Sequence, residues 1–250
     1  MNLLLLEPGE ADGRGVVRLE GPRARHLLDV LRAAPGREIR LGVVDGPLGT
    51  GRVLRADAAK REVELEIRLG AETPPRPRID LLLALPRPKV LGRLWAVLAS
   101  LGVGHVWLTN AWRVEKCYFD THVLAPETIR AGLLEGLVQA RDTRLPVVTL
   151  HRHLRALVED ELPREPYAAR ILAEPDGAGR GFSAIGRGLP PDGRVLVAIG
   201  PEGGWIQPEL DLLEARGFER AGWGGGRPLR TDVACSVLLG ALADGMAAGH

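Results

Sequence analysis

The sequence predicts an α/β protein in two parts, a small β-barrel followed by a larger domain built on a parallel sheet. Three observations predict it. Residues 1–72 read as short strands separated by turn residues at the spacing of a small barrel. A stiff proline-rich stretch, Glu72-Thr73-Pro74-Pro75-Arg76-Pro77, then reads as a linker. Beyond it, over residues 78–250, continuous apolar runs alternate with segments of helical spacing, the grammar of parallel strands with helices on both faces.

In the first part, Val16–Leu19 is a strand and His26–Arg32 (HLLDVLR) one short helix, ended near Pro35-Gly36. Glu38–Val44 alternates as a strand and meets the turn Asp45-Gly46-Pro47; Arg52–Ala56 and Val63–Leu69 complete the set. In the second part, the unbroken run Ile79–Leu85 suits a strand buried on both faces. A helix over Leu91–Leu101 stops at Gly102, and Val106–Thr109 is the next strand. Pro126–Gln139 is a long helix; Ala168–Ala173, Val195–Ile199 and Arg220–Trp223 are further strands. A helix starts near Gln207-Pro208-Glu209 and ends at Gly217, with proline in its first turn and glycine past its end. A last helix runs from about Val233 to Ala247.

Composition excludes several classes. Hydrophobic residues at 45% and charged residues at 26% are those of a soluble globular chain. No apolar run approaches the roughly 20 residues of a membrane helix, and Leu3–Leu6 is too short for a signal peptide. Cys117 and Cys235, far apart, make neither a disulfide framework nor a metal-ligand pattern, which fits a reducing cytoplasm and no metal. His151 and His153 lack the partners a metal needs and read as a polar loop. The net charge is only +1, yet Arg14–Arg61 holds 11 Arg or Lys against 5 Asp or Glu. That local excess fits a footprint for RNA phosphate. The preference for Arg over Lys has a compositional reading as well, since Ala, Gly and Pro are also abundant.

Two loops carry the chemistry. Gly200-Pro201-Glu202-Gly203-Gly204 follows the Val195–Ile199 strand directly. Ligands of open α/β sheets bind outside the carboxyl ends of strands, and glycine lets backbone approach a ligand closely. The loop has neither G-x-G-x-x-G spacing nor a Walker lysine, which speaks against dinucleotide or ATP phosphate. The second loop, Gly224-Gly225-Gly226-Arg227-Pro228-Leu229-Arg230-Thr231-Asp232, leads into the last helix. It crowds an arginine, a hydroxyl and a carboxylate at a helix start, where Thr231 or Asp232 could cap as well as function. Together the loops could cradle a flat, neutral-to-cationic ligand such as an adenosyl group.

With these residues in view, the segment Val195–Met246 resembles the C-terminal signature of the ribosomal RNA small-subunit methyltransferase E family. That family carries a G-P-E-G-G loop, here Gly200–Gly204, and a loop ending L-R-T-E-T-A, here Leu229-Arg230-Thr231-Asp232-Val233-Ala234. His26–Arg32 looks like its H-L-x-x-V-L-R element, Leu101-Gly102-Val103 like its L-G-V, and Arg113 stands where the family has an arginine after the second strand. Gln139 and Arg144-Leu145-Pro146 look like its E-Q-S-x-R-x-R-L-P stretch. The resemblance thus covers nearly the whole chain, in order.

The resemblance implies a SPOUT-type parallel sheet with a deep C-terminal trefoil knot, preceded by a PUA-like barrel that helps hold RNA. It implies S-adenosyl-L-methionine as cofactor, ribosomal RNA as substrate, methylation at uridine N3, and a homodimer through the last helix, without membrane or metal. The expected cofactor-binding residues are Leu172, Ala173, Glu174, Ile199, Gly200, Pro201, Glu202, Gly203, Gly204, Trp223, Gly224, Leu229, Arg230, Thr231 and Ala234. Arg230 and Asp232 are the expected catalytic pair: the guanidinium stabilises charge on a deprotonated uracil, and the carboxylate orients it or takes the proton. Arg23, Arg25, His26, Arg32 and Arg113 are the expected RNA contacts. Trp205 either walls the cofactor pocket or starts helix packing. The chain departs from the family at Asp232, one methylene shorter than the family's glutamate, and at Val97, Ser100, Val138, Ala140 and Asp142. These departures leave open another target nucleotide, or an RNA-binding protein without catalysis.

Overall fold

The computed structural model describes residues 3–175, 179–223 and 226–249. By packing, the chain divides into two units: residues 1–76 with 137–145, and residues 77–136 with 146–250.

The first unit is a five-stranded sheet. Its strands are β1 (Leu4–Leu6), β2 (Val16–Leu19), β3 (Glu38–Val43), β4 (Leu48–Asp57) and β5 (Glu62–Leu69), in the order β1-β3-β4-β5-β2. Only β1 and β3 run parallel; the other neighbours are antiparallel. The described pairing ends at β1 and β2 without joining them, so the sheet is an open half-barrel. Alternate residues point inward, and Leu6, Val17, Leu19, Ile39, Leu41, Val53 and Leu65 fill the interior with Leu27 from the helical segment. That segment begins earlier than expected: α1 spans Gly21–Arg25, with Pro22 in its first turn, and continues as a wider π turn over His26–Val30. β4 is longer than the expected Arg52–Ala56 and carries a bulge between Val53 and Arg55. Asp142 proves to be a turn former. Its Oδ1 accepts the backbone N–H groups of Thr143 (2.6 Å) and Arg144 (3.1 Å) in the loop that joins this unit.

The second unit is a six-stranded, wholly parallel sheet. In chain order its elements begin with β6 (Ile79–Ala84), α2 (Pro88–Ser100), β7 (Val103–Thr109), α3 (Pro126–Ala140), β8 (Val147–His151) and α4 (Leu154–Ala156). There follow β9 (Tyr167–Ala173), α5 (Phe182–Arg187), β10 (Arg194–Ile199), α6 (Gln207–Glu214), β11 (Phe218–Ala221) and α7 (Thr231–Ala248). The strand order is β11-β9-β10-β6-β7-β8, which leaves β6 and β10 in the interior. Burial follows the apolar runs: every residue of β6 is buried, and so are Val195–Ile199 of β10. β11 lies two residues before the expected Arg220–Trp223, because Phe218 enters the core while Trp223 stays exposed. β8 and α5 were not foreseen, and His151 ends a strand instead of sitting in a loop.

Helix α7 is 18 residues long and apolar enough to pass for a membrane span by length and composition, contrary to expectation. Here it is a core helix. Cys235, Leu238, Leu239, Leu242 and Met246 are buried. A Cβ on Gly245 would lie 2.2 Å from the Ser183 carbonyl of α5, and one on Gly186 would lie 2.5 Å from the Leu242 carbonyl. These glycines let the two helices touch backbone to backbone.

Candidate active site

The carboxyl ends of β9, β10 and β11 open into one cleft of about 810 Å³, solvent at its mouth included. Ala173, Ile199 and Ala221, the last residues of the three strands, form its base. The loop Gly200–Gly204 lines one side. Trp223, Arg227 and Leu229, with Thr231 and Ala234 of α7, line the other. The two glycine-bearing loops, separated in sequence by a helix and a strand, therefore share one cavity. Glu174 and Pro175, after β9, close the set.

The loop is built on its glycines. Gly204 has φ of +72°, in the left-handed region. A Cβ on Gly200 would come within 3.1 Å of the Trp205 indole, and one on Gly203 within 2.8 Å of Arg113 Cδ. Trp205 thus packs behind the loop, buried at 5% exposure, and does not wall the cleft; its buried Nε1 has no hydrogen-bond partner among the described residues. Arg113 donates to the Gly203 carbonyl, which fastens the loop to the segment after β7. Glu202 accepts the backbone N–H of Arg87 at 3.0 Å, which fastens it to the segment after β6.

Beside the cleft, Asp232 Oδ2 meets two guanidiniums, Arg230 at 3.0 Å and Arg93 at 3.2 Å. The Arg230 side chain stays 68% exposed while the Asp232 side chain is 24% exposed. A carboxylate gripped by two cations holds an arginine in a fixed direction. Arg230 is the residue before α7, in extended conformation, so its side chain leaves the helix at its start. Neither member of this pair lines the cleft, whereas Arg227 does. Leu172 does not line it either, because its side chain is fully buried. Gly224 lies outside the described residues.

Of the expected RNA contacts in the first unit, Arg25, His26 and Arg32 are exposed. Arg23 is exposed as well, and it also pairs with Glu10 and donates to the Leu5 carbonyl. Among the described residues no group of three or more His, Cys, Asp or Glu is placed to hold a metal ion.

A family model described as RNA methyltransferase domain matches residues 73–243. The Ribosomal RNA small subunit methyltransferase E of Treponema pallidum is 30% identical over 247 residues, covering 96% of this chain and 91% of that protein. The chain belongs to this family of ribosomal RNA methyltransferases. Solved structures agree at the level of fold. A Ribosomal RNA small subunit methyltransferase E from Neisseria gonorrhoeae, bound to S-adenosyl methionine, matches with a TM-score of 0.73 at 21% identity, over 96% of each chain. A probable rRNA-methyltransferase from Porphyromonas gingivalis matches with a TM-score of 0.71 at 23% identity, over 99% of this chain and 100% of the other. In this methyltransferase the Gly200–Gly204 loop and residues Arg227, Pro228, Leu229 and Thr231 share the cleft, and Arg230 lies beside it.

Proposed function

We propose that this methyltransferase transfers a methyl group from S-adenosyl-L-methionine to N3 of a uridine in 16S ribosomal RNA. The observation that carries the reading is the meeting of the Gly200–Gly204 and Arg227–Thr231 loops in one cleft, with the Arg230–Asp232 pair at the start of α7.

The cleft fits the cofactor. Gly200, Gly203 and Gly204 bring a loop without side chains to the cleft, packed from behind by Trp205 and Arg113, and the walls bring one indole, Trp223, and the aliphatic side chains of Ile199, Leu229 and Leu238. When bound, S-adenosylmethionine supplies a methyl already activated by its sulfonium. The protein's task is then binding, alignment and charge. Uracil N3 is nucleophilic only without its proton, and loss of the proton spreads negative charge over O2 and O4. Arg230 offers a guanidinium to that charge, and Asp232 keeps it aimed, supported by Arg93. Asp232, although one methylene shorter than glutamate, reaches Arg230 at 3.0 Å.

The same reading assigns Ala173, Glu174, Ile199–Gly204, Trp223, Gly224, Leu229, Thr231 and Ala234 to the cofactor, and leaves out the buried Leu172 and Arg230, which lies beside the cleft. It assigns Arg23, Arg25, His26, Arg32 and Arg113 to RNA, with the first unit as a PUA-like RNA-holding barrel. It further holds that the second unit carries a trefoil knot, that two copies join through α7, and that the protein works in the cytoplasm without a metal. Exposed Val233 and Val237 on α7 support the pairing of copies. The test is mass spectrometry of ribosomal RNA nucleosides from cells lacking the gene. N3-methyluridine should vanish from the small-subunit RNA and return with the wild-type gene. Its persistence, with another methylated nucleoside lost, would replace the uridine assignment.

A further inference from the structure

We propose that Trp112 is a stacking platform for an RNA base next to the methylated nucleotide, with Arg87 and Arg113 serving the adjoining phosphates. The inference rests on the reading of the cleft as the methyl-transfer site.

Trp112 is 79% exposed, whereas Trp95, Trp107 and Trp205 are buried and Trp223 is 37% exposed. Its exposure does not come from a loose segment. The turn after β7 is closed by a hydrogen bond from Val114 N–H to the Ala111 carbonyl (3.0 Å), and both of those residues are buried. The Trp112 backbone N–H donates to Glu209 Oε1 at 2.7 Å, and the other oxygen of Glu209 accepts the Ile206 N–H at 3.0 Å. One carboxylate therefore ties the turn to the start of α6. The next residue, Arg113, is fastened to the Gly203 carbonyl of the cleft wall. The indole is thus presented to solvent from a fixed backbone, one residue away from a side chain that holds the cleft.

Cations outnumber carboxylates around it: Arg87, Lys89, Arg113 and Lys116 are exposed after the carboxyl ends of β6 and β7, with the exposed Glu115 among them. The nearby carboxylates of Glu202 and Glu209 accept backbone N–H groups from Arg87, Trp112 and Ile206, so they hold the scaffold. Tyr118 adds a phenol at the margin, its hydroxyl 3.1 Å from Glu115 and in reach of Arg87. An exposed aromatic ring among cations is the pattern that binds single-stranded nucleic acid: rings take bases and cations take phosphates. A protein-binding face would instead centre its aromatic residue among other apolar side chains. A base that enters a cleft for methylation leaves its stack, and its neighbour loses a partner. A fixed indole beside the cleft can replace that partner.

The test compares full-length Trp112→Ala and Trp112→Phe with wild type. Small-subunit particles from cells lacking the gene serve as kinetic substrate, and decauridylate serves as binding probe. Trp112→Ala should raise KM for the particles roughly tenfold and leave S-adenosylmethionine affinity and oligomeric mass unchanged. Trp112→Phe should recover most of the loss, because the ring remains. Decauridylate should shield wild-type tryptophan fluorescence from iodide, and both variants should lack that shielding. An unchanged KM in Trp112→Ala, a Phe variant no better than Ala, or a changed mass with RNA affinity intact would overturn the proposal, the last by making Trp112 a contact between copies. Shielding by decauridylate in a protein that methylates no uridine would refute the uridine reading and leave the stacking role standing.

Discussion

The two ends of the parallel sheet are built on opposite principles. At the carboxyl ends of β9, β10 and β11, glycine and backbone form an open cleft. Toward the amino ends, long polar side chains fill the space and satisfy one another. Asp80, 1% exposed, accepts from the Tyr167 hydroxyl at 2.9 Å and pairs with Arg194, which also bonds Glu165 at 2.8 Å. Trp107 Nε1 donates to the Tyr167 oxygen at 3.2 Å, and His105 stacks on Trp107 with ring centres 3.8 Å apart. His105 also bonds Thr149 at 3.0 Å. The contrast teaches that this sheet separates binding from anchoring: one end leaves backbone groups for a ligand, the other leaves few polar groups without a partner.

Substitutions at the two ends should therefore have effects that do not cross. The largest expected effect is at the cleft. Gly200→Val pushes a branched side chain toward the Trp205 indole behind the loop, so the exposed loop must shift into the cleft to make room. Calorimetric titration should show S-adenosylmethionine affinity lowered roughly 100-fold, with a smaller change in melting temperature. At the other end, Asp80→Ala leaves Tyr167 and the partly buried Arg194 without their shared acceptor. Denaturant unfolding should show a loss of about 2 kcal/mol, with cofactor affinity intact. A crossed result in either variant would break the separation.

How much of this contrast the sequence discloses follows from how far apart the partners lie. The first glycine loop was legible because it sits directly after the apolar strand β10, but the meeting of the two loops was not, since β9 lies between β10 and β11 in the sheet and the cleft spans all three strand ends. The anchoring network was not legible: Asp80 meets Tyr167 and Arg194 across 87 and 114 positions, and nothing local marks them as partners. Element boundaries failed for physical reasons as well. The helix at His26 was read from its apolar pattern, which begins at Leu27, whereas Gly21 and Pro22 start it four to five residues sooner. β8 is an edge strand with Val147 and Leu150 exposed, so it lacks the apolar run that revealed β6. Trp112 carried no signal at all, since only the structure shows that its neighbours are buried and it is not.

A smaller effect sharpens the anchoring half. Burial pushes the His105 imidazole down to about 4 from its usual 6.5. Between those values the unfolded chain binds a proton that the folded chain does not. The contribution of His105 to stability is therefore complete above about 6.5 and is lost as pH falls toward 4. Asp80, raised above the ordinary carboxylate range by burial, acts in the opposite sense, so the variant must be compared with wild type across the same pH range. His105→Phe keeps the stack on Trp107 and should flatten the slope of melting temperature against pH between 4 and 6.5. An unchanged slope would show that the imidazole is not shielded from water.

The smallest effect is chemical. Cys235 is buried in α7 with its thiol pushed up to about 12, whereas Cys117 is exposed. A thiol reagent at neutral pH should titrate Cys117 alone in the native protein and both cysteines after denaturation. Fast reaction of Cys235 in the native state would mean that α7 opens.

The central claim is that Arg230, held by Asp232, supplies charge to the reacting base and is not part of the cofactor site. Single-turnover methylation of small-subunit RNA by Arg230→Ala, with parallel titration of S-adenosylmethionine, tests it directly. The account predicts that methyl transfer is abolished while cofactor affinity stays within about threefold of wild type. Methyl transfer near the wild-type rate, or equal loss of transfer and cofactor binding, would contradict it.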